Sequence, residues 1–142
     1  MRVVVDANVI AASLVRPNGW SARELQREDV EWFVPGYLFD ELAEHEDELA
    51  ERAGCTVAEF HMRVGRLKGL RRVAEADLLA EEDDPLVKQA RAVDPDDAVY
   101  FAAVVATGAD LLWTRDERIL EEFPGIATLT LPPEPGEPAS HK

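Results

Sequence analysis

Val3-Val4-Val5-Asp6-Ala7-Asn8 opens the chain directly after Met1-Arg2. Three β-branched apolar residues in a row read as a short strand buried on both faces, the kind found at the centre of a parallel sheet. Asp6 closes that strand. A carboxylate at the end of a buried strand has no packing role there. A second stretch repeats the arrangement: Leu111-Leu112-Trp113-Thr114-Arg115 leads into Asp116.

Outward from these two runs, strand and helix signals alternate. Asn8 to Val15 has apolar residues at helical spacing, and Arg16-Pro17-Asn18-Gly19 is a turn. Ser21 to Arg27 reads as a short helix and Trp32-Phe33-Val34 as a strand stopped by Pro35-Gly36. Tyr37 to Ala53 reads as one longer helix, with Leu38, Leu42, His45 and Leu49 roughly on one face and Gly54 as its cap. Thr56-Val57-Ala58-Glu59 has the form of a capping box and opens a helix to about Lys68. Leu70 to Ala74 reads as an edge strand, where Arg71 and Arg72 are tolerated. Asp84-Pro85 and Asp94-Pro95 each resemble an N-cap followed by proline, starting helices near 85–92 and 95–107, the second ended by Gly108. Asp110 to Thr114 is a strand, Glu117 to Phe123 a helix and Ile126 to Leu131 a last strand. The alternation predicts an α/β fold, a parallel sheet covered by helices on both faces. Residues 1–131 form the expected domain. Residues 132–142, rich in Pro, Gly and Glu with no apolar face, read as a disordered tail.

At 142 residues the chain is sized for one domain with one core. Cys55 is the only cysteine, which excludes an internal disulfide and a zinc site built on several cysteines. His45, His61 and His141 show no metal-ligand spacing, and His61 and Cys55 read as structural. Trp20, Trp32 and Trp113 read as core residues, with Trp20 in a turn-rich region also a candidate to touch a base. No apolar run is long enough for a membrane span, and Met1-Arg2-Val3 enters a strand, not a signal peptide, so a cytoplasmic location is expected.

The 29 acidic and 15 basic residues give a net charge of −14, and 12 of the bases are arginine against Lys68, Lys88 and Lys142. This balance fits either attraction to a basic partner or a surface adapted to a very salty cytoplasm, and the scatter of the acids favours the halophile-like surface. It lacks the basic patch usual in nucleic-acid binders.

Four acids can be brought to one edge of such a sheet. Asp6 and Asp116 end two strands. Asp97 lies in the first turn of a helix that must start at the same edge, and Glu41 lies in the first two turns of the helix after Trp32-Phe33-Val34. Ligands of open α/β sheets bind at that edge, where strand order reverses. Converging carboxylates raise one another's pKa, a conflict that a divalent cation removes, and hard oxygen donors suit Mg²⁺ or Mn²⁺. One or two such ions can activate water for in-line hydrolysis of a phosphodiester. Singly, each acid has a plainer explanation. Asp97 suits a helix start, Glu41 a solvated helix face and Asp116 a helix cap, whereas Asp6 is the hardest to explain without function.

Together, Val3 to Ile10, Val34-Pro35 leading to Glu41-Leu42, Asp94-Pro95-Asp96-Asp97 with Ala102-Ala103, and Gly108 to Asp116 resemble a PIN domain over residues 1 to about 131. The resemblance implies a three-layer α/β/α fold around a five-stranded parallel sheet of order 3-2-1-4-5. It implies Mg²⁺- or Mn²⁺-dependent endoribonuclease activity carried by Asp6, Glu41, Asp97 and Asp116 as catalytic and metal-binding acids, with Asn8 and Thr114 supporting them. Asp96 neighbours the third acid and is its alternative; Glu44 is the alternative to Glu41. Many small proteins of this kind are VapC-like toxins held by an antitoxin, often as dimers. RNA, an antitoxin and a second copy of the chain are therefore the implied partners. The competing expectation is a non-catalytic module that binds RNA or protein, with Trp20, Arg16 and Arg23 as contacts. An aspartyl phosphatase is disfavoured, since Asn8 stands where a second Asp would be needed.

Overall fold

In the computed structural model, which describes residues 1–67 and 69–135, the Val3-Val4-Val5 run lies in strand β1 (Arg2–Val5). All three valines are fully buried, and they divide between two cores: Val3 and Val5 on one side of the sheet, Val4 on the other. Burial of each is worth roughly 1.5–3 kcal/mol. Strand β4 (Leu111–Trp113) is split the same way, with Trp113 in the first core and Leu112 in the second.

The other strands are β2 (Glu31–Pro35), β3 (Leu70–Val73) and β5 (Ala127–Thr128). All pairings are parallel, and the order is β3-β2-β1-β4-β5. The chain builds outward from β1 to β3, then returns to β1's other side with β4. The switch of direction thus falls between β1 and β4, whose register pairs Val5 with Trp113.

Helices α1 (Ala7–Val15), α3 (Leu38–Glu44), α4 (Glu46–Ala53) and α5 (Val57–Gly65) supply the first core. Between α1 and β2 lies the short α2 (Trp20–Glu24). Helices α6 (Glu75–Leu79), α7 (Pro85–Val93), α8 (Ala98–Thr107) and α9 (Glu117–Glu122) supply the second core. The result is a three-layer α/β/α fold with a parallel five-stranded sheet. Six residues of α8 are buried, as expected of a helix apolar nearly all round. Among the described residues, no helix is long and apolar enough to cross a membrane.

Several local expectations are corrected. The helix expected over 37–53 is two helices, interrupted at His45 (φ −102°, ψ 17°). Asp40, Glu41, Glu44, Glu46, Asp47 and Glu48 would crowd one sign of charge along a continuous helix. A fresh start at Glu46 instead sets three acids at a helix N-terminus, where the dipole favours them. The helix expected from residue 95 begins at Ala98, because the Asp94 carboxylate accepts from the Asp96 N–H (3.0 Å) and holds Pro95–Asp97 in a turn. Helix α6 was not anticipated: a single turn with one buried residue, Leu78, has no legible periodicity. The last strand is shorter than 126–131, since the Trp113 indole donates to the Leu129 carbonyl (3.1 Å) and takes it from the ladder.

The capping box is present, with Thr56 accepting from Glu59 N–H (3.1 Å), but its helix ends at Gly65, short of Lys68, which lies outside the described residues. Of the tail expected over 132–142, residues 136–142 also lie outside them. The tail's start is tied down: Arg27, nearly buried, donates to the Pro132 carbonyl (2.7 Å) as well as to Asp29 (2.7 and 3.0 Å) and Glu24 (3.2 Å).

Candidate metal-binding active site

Asp6, Glu41, Asp97 and Asp116 all line one open cavity of about 670 Å³ at the carboxyl edge of the sheet, at the β1/β4 switch. Asn8 and Asp96 line it too; Glu44 does not.

The β1/β4 register fixes its centre. The Asp6 N–H donates to the Trp113 carbonyl (2.9 Å), so Asp6 and Thr114 leave their strands side by side. Thr114, with no exposed surface, donates its hydroxyl to Asp6 Oδ2 (2.6 Å) and accepts from the Asp116 N–H (3.1 Å). One hydroxyl therefore aligns two of the acids. Asp116 also caps α9, with Oδ1 accepting from the N–H groups of Arg118 (2.9 Å) and Ile119 (3.3 Å). Capping and lining the cavity are thus not alternatives for this residue, because a carboxylate has two oxygens. Asn8 Oδ1 accepts from the Arg115 N–H (3.2 Å), which ties the first turn of α1 to the segment after β4.

The electrostatics are those of acids held together against their preference. Burial pushes the Asp6 carboxyl above its usual range, opposed by the Thr114 hydroxyl and by backbone N–H groups, and the Asp116 charge adds to the rise. Asp97 is pushed up to about 6, first by burial, then by the charges of Asp94, Asp6 and Asp116. It precedes α8 without making a side-chain cap bond, so its carboxylate is not occupied by the helix. Asp96, its neighbour, is exposed.

Two tyrosines that sequence reasoning did not single out also line the cavity. Tyr37 is raised to about 12, by burial and then by the Glu41 charge, with the Tyr100 hydroxyl beside it. Burial and the Asp6 charge raise Tyr100 further. Both phenols thus stay protonated and able to donate. Their signal was helical spacing: Tyr37 is four residues before Glu41, and Tyr100 three after Asp97, each pair on one helix face.

Trp20 is not the core residue expected: it is 44% exposed and meets buried Trp113 edge-to-face, with centroids 5.6 Å apart. His61 is exposed and pairs with Glu46 (3.0 Å), and Cys55 packs against the first core.

The donors around the cavity are hard oxygens, the type that suits Mg²⁺ or Mn²⁺. The raised Asp6 and Asp97 are the groups that a cation would relieve. Among the described residues, no three Asp, Glu, His or Cys side chains are close enough together to enclose an ion, so the acids rim the opening without forming a closed cage. The set fits a cation in donor chemistry, charge and common access.

No curated protein matches the chain. The family profile described as PIN domain matches residues 4–132, which takes in the end of β1, all of β2 to β5 and the cavity residues Asp6, Asn8, Tyr37, Glu41, Asp96, Asp97, Tyr100 and Asp116. The chain therefore belongs to the PIN domain family, whose members are commonly nucleases that use divalent metals.

Proposed function

We propose that this protein is a divalent-metal-dependent endoribonuclease that hydrolyses phosphodiester bonds by water attack. The observation that carries the reading is the rim of Asp6, Glu41, Asp97 and Asp116 around one cavity at the sheet's switch point. Asp6 and Asp116, aligned through Thr114, are the central ligands for Mg²⁺ or Mn²⁺; Asp97 and Glu41 complete the acidic rim. When bound, one or two ions supply an activated water and stabilise the developing charge on phosphate and leaving oxygen. The chain's own groups do the rest. Thr114 holds Asp6 in one orientation. Asn8 fixes the segment carrying Asp116. Tyr37 and Tyr100, protonated at all physiological pH values, can donate to phosphate oxygens.

RNA is the substrate class that the family supports, and an antitoxin and a second copy of the chain are the further partners that the resemblance to VapC-like toxins suggests.

The test is cleavage of a labelled structured RNA with Mg²⁺, Mn²⁺ or EDTA, by wild type and Asp6→Asn. Metal-dependent cutting lost in a folded Asp6→Asn is expected. Undiminished cutting in EDTA, or by the variant, would overturn the proposal.

A further inference from the structure

A second cavity, of about 410 Å³, lies beside the acidic one at the same edge of the sheet. Its lining includes Arg16 and Trp20 from the α1–α2 region, buried Trp113, Arg115 just past β4, and Leu129 just past β5. Arg115 stands between Thr114 and Asp116, which serve the acidic cavity, and its N–H is bonded to Asn8 on that cavity's wall. Arg115 lines this cavity and Asp116 the acidic one, so adjacent residues after β4 serve the two cavities. The two cavities therefore share a seam made of Asn8, Arg115 and Asp116.

Three observations make this more than a stray exposed aromatic. Trp20 is held rather than loose, because its edge-to-face contact with Trp113 (88° between planes) fixes the ring while 44% of the residue stays accessible. Such a fixed, accessible indole is a stacking platform for a base. Arg16 and Arg115 are both exposed and, among the described residues, make no side-chain hydrogen bond or ion pair. Arg2, Arg27, Arg71 and Arg118 find acidic partners; Arg23, Arg52 and Arg66 are also uncommitted among the described residues, but of the uncommitted arginines only Arg16 and Arg115 line this cavity. Two uncommitted guanidiniums beside an indole supply the local positive charge that the overall surface lacks, and guanidiniums pair well with phosphate.

We propose that this cavity is a nucleotide-holding subsite for single-stranded RNA, in which Trp20 stacks one unpaired base next to the scissile bond and Arg16 and Arg115 bind the flanking phosphates. The subsite rests on the nuclease reading for its purpose, although its binding can be measured without cleavage. A net charge of −14 repels RNA at long range, so binding depends on these short-range contacts, whose phosphate pairs weaken as salt rises. Trp20 and the arginines are positioning residues: they set which nucleotide lies over the acids.

The experiment is fluorescence anisotropy with a short fluorescein-labelled single-stranded RNA in EDTA, using wild type, Trp20→Ala, Trp20→Phe and Arg16→Gln/Arg115→Gln. Loss of one stacked base predicts binding weakened by about five- to 150-fold in Trp20→Ala, with most of it restored in Trp20→Phe. The double arginine variant should show a shallower fall of affinity with salt. Circular dichroism checks that each variant is folded, and because both arginine side chains are exposed, that variant tests the site without touching the core. Trp20→Ala binding as well as wild type would overturn the proposal. So would a wild type without RNA affinity whose Trp20 is instead shielded by a protein segment. The two readings separate cleanly: RNA held through Trp20 but never cut removes the nuclease alone, while metal-dependent cutting with Trp20→Ala binding unchanged removes the subsite alone.

Discussion

Replacing Asp97 by Asn should stabilise the protein, and only at neutral to alkaline pH. The Asp97 carboxyl has a pKa of about 6 in the folded protein against an ordinary 3.8. Between those values the folded chain holds a proton that the unfolded chain has lost, so stability falls as pH rises from about 4 to about 6 and stays lower above. The gap corresponds to about 3 kcal/mol in full. Solvent screening at a carboxyl that opens onto the cavity, and the favourable helix N-terminus, reduce this to about 1 kcal/mol. Asp97 makes no side-chain cap bond, so Asn forfeits none. The expected result in EDTA is a Tm raised by about 3–6 °C at pH 8 and unchanged at pH 4. Mg²⁺ should then raise the Tm of wild type more than that of the variant, since a ligand stabilises the state that binds it. A Tm gain equal at both pH values, or a loss at pH 8, would refute the electrostatic account of the cavity.

Three further outcomes are expected. Thr114→Val leaves buried Asp6 without its donor and should cost about 1–3 kcal/mol in urea unfolding, together with a marked loss of metal-dependent cleavage. Asp116→Asn keeps a capping oxygen for α9, whereas Asp116→Ala loses it; both should abolish cleavage, but only the alanine should lower stability, by about 1 kcal/mol. Arg27→Ala removes the partner of Asp29 and Glu24 and the anchor of the Pro132 carbonyl; it should lower the urea midpoint by an equivalent of about 2 kcal/mol while leaving metal-dependent cleavage intact.

The central sheet was legible because its strands are buried on both faces, and such strands have no polar alternation to confuse them. Val3-Val4-Val5 and Leu111-Leu112-Trp113 each announced a strand, and the acid after each marked the edge. The strand order came with the family pattern, and the structure has it. That the four acids share one edge followed from the alternation of strands and helices, because a parallel sheet sends every strand end and every returning helix start to one edge; that β1 and β4 are neighbours came with the family pattern. Side-chain competition for backbone groups was not legible. Asp94 delaying α8 and the Trp113 indole shortening β5 are contacts that depend on the folded arrangement. The interruption at His45 reflects charge crowding that hydrophobic periodicity ignores. Tyr37 and Tyr100 were missed because attention to acids passed over their neutral neighbours one helical turn away. Trp20 was misread because three tryptophans in a small chain look alike by composition, whereas only two of them are buried.

The most direct test of the central claim is a calorimetric titration of the metal-free protein with Mn²⁺, comparing wild type with Asp6→Asn. The account predicts saturable binding of one or two ions that weakens as pH falls through about 6, where Asp97 takes up its proton, and that is largely lost in the variant. Mn²⁺ binding of equal strength in both proteins, or none in a folded wild type at pH 8, would contradict it.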